Sequence, residues 1–190
     1  MGRKKYTEFL EPDKFYHVFN RGINGERIFS NSKNYDYFLA LFEKYLLKMA
    51  NVHAYCLLPN HFHFLIEILP DVEIKKLIIN SNSSPEVFIS KQFSHLFNSY
   101  SQAYNKSIGR TGRLFDHPFR RIPIDSEEYL RNSILYIHKN PIKHSISSEI
   151  INYPHSSYSK IIFDKPSFIQ KDYVLELFDG LDNFRRCHED

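Results

Sequence analysis

Apolar and polar positions along the chain follow two periods, one of two residues and one of three to four, which separate strands from helices. Phe15-Tyr16-His17-Val18-Phe19-Asn20 is rich in β-formers and runs into the turn cluster Arg21-Gly22-Ile23-Asn24-Gly25, so it predicts a first strand and a loop. Tyr35, Phe38, Leu39, Phe42, Tyr45, Leu46 and Met49 then recur at helical spacing, after the N-cap candidates Ser30-Asn31-Ser32 and before a closing Asn51. Val52 to Leu58 and His61 to Leu69 predict two strands joined tightly by Pro59-Asn60, an antiparallel hairpin. A short helical piece follows Pro70, then a polar loop from Asn80 to Pro85. A long helix runs from about Ser90 to Ile108, with Phe93, Leu96, Phe97, Tyr100 and Tyr104 on one face and Gly109 at its end. Leu114 to Ile124 reads as a fourth strand whose prolines place it at a sheet edge. Asp125-Ser126-Glu127-Glu128 caps a last core helix that carries Leu130, Ile134, Leu135 and Ile137 and stops at Asn140-Pro141.

The order strand, helix, strand, strand, helix, strand, helix predicts an α+β sandwich of ferredoxin-like topology, with a mostly antiparallel sheet and helices on one face. One domain is expected over residues 1–150. A C-terminal extension over 151–190 reads as an appendage ending in a short helix around Tyr173, Leu175, Leu177 and Phe178. Hydrophobic content of 42% and aromatic content of 16% supply a core and argue against disorder. No apolar run reaches the roughly 18 residues of a membrane span, and the basic Met1-Gly2-Arg3-Lys4-Lys5-Tyr6 lacks a signal-peptide core. Tyr6 also stands where myristoylation needs Ser or Thr. The two cysteines, Cys56 and Cys187, exclude a disulfide scaffold and suit a reducing cytoplasm. Net charge is only +3, but it is unevenly spread. Tyr100 to Ser145 holds eight Lys/Arg against four Asp/Glu, whereas Asp164 to Asp190 holds four against seven. A basic middle fits a phosphate-facing surface, although a solvated charged face has the same composition.

The stretch that changes this picture is Leu57-Leu58-Pro59-Asn60-His61-Phe62-His63-Phe64-Leu65-Ile66-Glu67. On a strand, His61 and His63 share one face while Phe62, Phe64 and Ile66 point to the other, into the core. A single strand histidine is usually just packed; a same-face pair is a frequent fragment of a divalent-metal site. Tyr136-Ile137-His138-Lys139-Asn140-Pro141 adds a second signal, because Tyr136 and Asn140 sit four apart on one helix face. Beside a metal held by His61 and His63, Asn140 can supply a carbonyl oxygen as third ligand, and the Tyr136 hydroxyl can attack what the metal polarises. Three protein ligands leave positions for phosphate oxygens, as magnesium or manganese prefers. His138 should face about 200° away from Tyr136. His17 and His53 can approach from neighbouring strands but are not expected as ligands. Cys56 reads as a buried strand residue, and Gly109-Arg110-Thr111-Gly112 as a turn.

These residues resemble the His-hydrophobe-His motif of single-tyrosine (HUH-type) transposases. The likeness carries through Asn20-Arg21-Gly22, Gly112-Arg113-Leu114-Phe115, Phe119-Arg120 and Tyr136-Ile137-His138-Lys139-Asn140-Pro141-Ile142-Lys143, and covers about Phe15 to Tyr158. The Tyr ahead of an Asn-Pro is most similar to the REP-associated tyrosine transposases. Insertion-sequence members typically carry glutamine, one methylene longer, where Asn140 stands. The resemblance implies a strand transferase that cleaves and rejoins single-stranded DNA at hairpin-forming imperfect palindromes, in a bacterial cytoplasm, as monomer or homodimer. It implies Tyr136 as nucleophile forming a 5′-phosphotyrosine, and His61, His63 and Asn140 as ligands of magnesium or manganese. Arg21, Arg113, Arg120, Arg121 and Lys143 are the implied DNA contacts, with Tyr100, Tyr104 and Phe115 as candidate base-stacking rings. Two other readings stay open at this point: a catalytically silent DNA-binding regulator derived from such an enzyme, and a metal-dependent nuclease that uses water.

Overall fold

The computed structural model describes residues 9–79, 83–116 and 118–189. The basic start of the chain and the Asn80 to Asn82 part of the expected loop lie outside the described residues. Four strands, β1 (Phe15–Arg21), β2 (Ala50–Leu58), β3 (His61–Ile68) and β4 (Arg120–Ile124), form one antiparallel sheet in the order β2-β3-β1-β4. With α1 (Ser32–Leu46) between β1 and β2 and α3 (Pro85–Ile108) between β3 and β4, this is the expected ferredoxin-like α+β arrangement. The short α2 (Asp71–Leu77) precedes α3, and α4 (Glu127–Lys143) follows β4.

Strand alternation decides what each face of the sheet meets. Phe62, Phe64 and Ile66 of β3, with Tyr16 and Val18 of β1, are buried on the face covered by α1 and α3. Phe42 stacks on Phe64 at 4.1 Å between ring centroids, and Phe38 meets Phe62 at 5.2 Å, so the helical aromatics interlock with the strand aromatics. The capping box of Asn31 and Asn34 starts α1, and Ser84 and Ser126 cap α3 and α4. Gly109 ends α3 in the left-handed conformation at φ 65°.

α1 and α3 hold the expected face, and α4 adds a layer on the other, where the odd-numbered side chains of β1 and β3 lie. Several boundaries depart from the periodicity. α1 ends at Leu46, and Asn51 lies inside β2, where its amide donates to Glu67 Oε2 at 3.1 Å. α3 begins five residues before Ser90 because Pro85 fits the first helical turn. β4 is shorter than expected, its place before Arg120 taken by a single bridge between Gly22 and Phe115. Pro123 is tolerated because β4 is an edge. α4 continues through Pro141 to Lys143; the turn beyond is fastened by His144 N–H donating to Asn140 O and Ile146 N–H donating to Pro141 O.

The stretch beyond 150 is built into the fold rather than appended to it. Leu57 N–H donates to His155 O and Ser157 N–H to Tyr55 O, which covers the outer edge of β2. α5 (Tyr158–Ile162), α6 (Lys171–Leu177) and α7 (Leu181–Glu189) bury Tyr158, Val174, Phe178 and Phe184. A buried relay ties α7 to α4 and β2. Ser157 Oγ meets His138 Nε2 at 2.8 Å, His138 Nδ1 meets His188 Nε2 at 2.9 Å, and His188 Nδ1 donates to Phe184 O at 2.7 Å. His138 does face away from Tyr136, as helix geometry requires. No described helix is long and apolar enough to cross a membrane.

The relay carries a pH prediction. Burial holds His188 down to about 4, from an ordinary value near 6.5. The unfolded chain then binds a proton that the folded chain refuses, so the stability from this group is complete above pH 6.5 and is lost as pH falls through about 4. Urea titrations across that window should show a loss to which His188 contributes about 2–3 kcal/mol. His188→Gln should flatten the slope, and an unchanged slope would remove the relay from the acid response.

Candidate active site

The α4 face of the sheet opens into a cleft of about 380 Å³ whose lining includes His61, His63, Tyr136, Arg21, Arg120 and His144. Register explains the gathering. His63 pairs with Phe19 on β1 and Cys56 on β2, and His61 with Arg21 and Leu58, so the His pair sits at the middle of the sheet near the β2–β3 turn. Gly22 N–H donates to Asn60 O, and Ile28 and Phe29 N–H both donate to Pro59 O, so the 22–29 loop grips the turn that sets His61. A Cβ at Gly22 would lie 2.1 Å from Glu26 O. Gly22→Ala should therefore cost about 1–3 kcal/mol by displacing this loop, measured as a fall in the denaturation midpoint. An unchanged midpoint would mean that the loop relaxes freely.

His61 and His63 do share a face, with ring centroids 5.3 Å apart. His61 Nδ1 bonds Asn60 Oδ1 at 2.7 Å, and His63 Nδ1 bonds His17 Nε2 at 2.8 Å. Those contacts use the δ nitrogen of each ring, so it is the ε nitrogens that would hold a cation. Burial pushes His61 down to about 4, helped by the charges of His144 and Arg21. Burial also holds His63 well below the usual range, with His17, His61, His144 and Lys143 adding repulsion. Both imidazoles are thus neutral at pH 7, the state that donates a lone pair to a cation.

Tyr136 projects from α4 over this pair. Its ring lies 5.6 Å from His63 and 5.9 Å from His17, edge-on to both, and it is 40% exposed. Lys143 Nζ stands 4.8 Å from the Tyr136 centroid. A second hollow of about 390 Å³, lined by His17, Ile122, Tyr129, Asn132 and Ser133, opens on the other flank of the tyrosine.

Asn140 lies one turn further along α4 but does not line the cleft. It is fully buried, its amide N–H donates to Tyr136 O at 2.7 Å, and its Oδ1 is a buried acceptor with no hydrogen-bond donor. Among the described residues no three His, Cys, Asp or Glu converge to hold a metal, although the His144 ring comes within 4.7 Å of His61. The buried amide oxygen of Asn140, which has no donor, is an atom of the kind that could complete a cation site with the His pair. The donor set of two neutral imidazoles and one amide oxygen fits a divalent cation.

The expected DNA contacts separate by face. Arg21 and Arg120 line the cleft, Arg21 with its Nε 3.0 Å from Asp116 Oδ2, and Lys143 stands over Tyr136. Arg113 and Arg121 line a different cavity, on the α3 side, because Arg120 and Arg121 are successive residues of one strand. Tyr100 and Tyr104 are not available as base-stacking rings. Both are buried in the core, with their hydroxyls donating to the carbonyls of Ile28 and Arg27. Cys56 is fully buried, and burial raises its thiol far above the reactive range. His17 is the site residue that strand periodicity undervalues: its odd position in β1 puts it on the histidine face, and the β1–β3 pairing puts it against His63. His144 caps α4, and no motif points to it.

Among solved structures, the chain aligns with a REP-associated tyrosine transposase bound to a REP hairpin. That alignment has a TM-score of 0.59 and 13% identity and covers 87% of this chain and 89% of that one, a likeness of fold. A bacterial tRNA(His) guanylyltransferase-like protein in complex with ATP aligns at TM-score 0.42 and 11% identity, over 79% of this chain and 66% of that one, too loosely to carry an argument. No curated protein sequence matches. The family model described as "Transposase IS200 like" matches residues 13–109, which include both histidines and stop short of Tyr136. That match spans half of the chain, and with the shared fold behind it the chain belongs to the IS200-like transposase family.

Proposed function

We propose that this transposase cleaves and rejoins single-stranded DNA through a phosphotyrosine at Tyr136, at sites marked by hairpins such as the one its structural neighbour binds. The observation that carries the proposal is the edge-on approach of the Tyr136 ring to His63, 5.6 Å away, in a cleft with basic walls. A divalent cation held by His61, His63 and Asn140 would supply positive charge beside the nonbridging oxygens of the phosphate.

The rest of the chemistry belongs to the chain. Arg21 and Arg120 would hold the phosphate in the cleft, and the fixed strand and helix would keep Tyr136 in line with it. Tyr136 Oη attacks phosphorus and the P–O3′ bond breaks, giving a 5′-phosphotyrosine and a free 3′-hydroxyl. The proton the phenol loses is matched by the one the 3′ oxygen gains. The reverse step, with a 3′-hydroxyl attacking the phosphotyrosine, rejoins the strand without a nucleotide cofactor. Lys143 would stabilise the negative charge on Oη during both steps.

Incubating the protein with labelled hairpin oligonucleotides and Mn²⁺, then running a denaturing gel, tests this directly. A covalent adduct that maps to Tyr136 is expected. A regulator would give binding without an adduct, and a water-using nuclease would give cut DNA without one. The two arginines should also separate. Arg120→Ala should weaken hairpin binding, reduce adduct formation and lower the salt slope by about 0.7, because one single-strand phosphate contact is lost. Arg121→Ala should weaken binding while leaving the adduct formed by bound DNA unchanged, since its side chain lies on the other face. Equal effects of both on the adduct would contradict the division of the basic surface.

A further inference from the structure

The α3 side of the sheet holds a cavity that the cleavage chemistry does not use. It measures about 520 Å³ and lies between α3 and residues 112–115 and 118–121. Phe97, Phe115 and Phe119 give it flat apolar walls, with Phe97 5.2 Å from Phe115 and 5.4 Å from Phe119 between ring centroids. Ser94 and Asn98 bring hydrogen-bonding side chains to its edge, and both are exposed. Arg113 and Arg121 bring positive charge, with the Arg121 guanidinium 4.7 Å from the Phe119 centroid.

The cavity and the active-site cleft meet at one residue. Asn20 lines both the cavity and the Tyr136 cleft, at the point where β1 runs past the end of its pairing with β4. Arg120 faces the cleft and Arg121 the cavity, so positive charge turns the corner of the sheet. Flat apolar walls suit a π-face, the Ser and Asn side chains suit the polar edge of a base, and the arginines suit the phosphates on either side.

We propose that this cavity binds one unpaired nucleobase of the DNA strand that crosses the Tyr136 cleft, an inference that rests on the strand-cleavage reading above. Such a subsite fixes which phosphate reaches Tyr136, because one held base sets the register of the strand. Phe115, a candidate base-stacking ring by sequence, is then the one of the three candidates placed to act.

The test uses hairpin oligonucleotides with an unpaired thymidine tail in which one position at a time is 4-thiothymidine or abasic. Irradiation of the thio-substituted set, followed by mass spectrometry, should place crosslinks from one tail position on Phe97, Phe115 or Phe119. An abasic residue at that position should weaken binding about 5- to 100-fold, and its neighbours should matter less. Ser94→Trp, which crowds the mouth, should abolish both the crosslink and the positional effect at an unchanged melting temperature. Asn98→Leu serves if Ser94→Trp melts early. Crosslinks elsewhere, or abasic effects that are equal along the tail, would overturn the subsite. A Tyr136 adduct without a cavity crosslink rejects the subsite and leaves the cleavage reading standing. A cavity crosslink in a protein that forms no adduct upholds the base site and rejects the cleavage reading.

Discussion

Tyr136→Phe should abolish the covalent protein–DNA adduct while hairpin binding stays within about twofold of wild type. The substitution removes one oxygen from a side chain that is 40% exposed and that leans edge-on against His63 and His17, contacts made by the ring rather than by the hydroxyl. Packing, the His pair and the Lys143 contact over the ring face therefore survive. The nucleophile does not. Adduct yield on a denaturing gel should drop by at least about a thousandfold, the scale on which removal of a covalent nucleophile acts. Adduct formation by Tyr136→Phe, or mapping of the wild-type adduct to another tyrosine, would falsify the assignment. Tyr100 and Tyr104 are poor substitutes, because both hydroxyls are spent on backbone carbonyls in the core.

Much of this site was legible before the fold was known, and the reason is periodicity. Alternation along β3 places His61 and His63 together whatever the rest of the chain does. The same rule applied to β4 separates Arg120 from Arg121, although as a pair on a basic stretch they look equivalent. His17 is different. Its face follows from β1 alone, but its 2.8 Å contact with His63 requires knowing that β1 lies beside β3 rather than beside β2. Tertiary packing also decides between core and ligand for aromatics at helical spacing. Tyr100, Tyr104 and Phe97 share a face of α3, yet Phe97 lines the α3-side cavity while Tyr100 and Tyr104 are buried in the core. The tail shows the limit most clearly. A short amphipathic segment after residue 150 reads as an appendage, because the partner of its apolar face, the outer edge of β2 and the flank of α4, is remote in sequence.

His63→Ala should remove divalent-cation binding and, with it, adduct formation, while leaving Tyr136 in place. His63 is buried against His17 and the sheet, so truncation opens a small cavity and also strands the His17 imidazole, at a cost of about 1–3 kcal/mol. The fold should persist, because the aromatic packing of Phe62 and Phe64 lies on the opposite face. Titration of Mn²⁺ followed by calorimetry reads the loss without reference to DNA. A paired variant locates the third ligand. Asn140→Ala removes the buried Oδ1 that has no donor, and also the N–H that donates to Tyr136 O. If Asn140 is a ligand, its loss should weaken Mn²⁺ binding about 10- to 100-fold with the His pair intact. His144→Ala, at the exposed cap of α4 beside His61, should leave Mn²⁺ affinity near wild type. The reverse result, with His144→Ala weakening the cation and Asn140→Ala sparing it, would move the third ligand from the amide to the cap imidazole. It would also leave the buried Asn140 as a brace for the turn of α4 that carries the nucleophile.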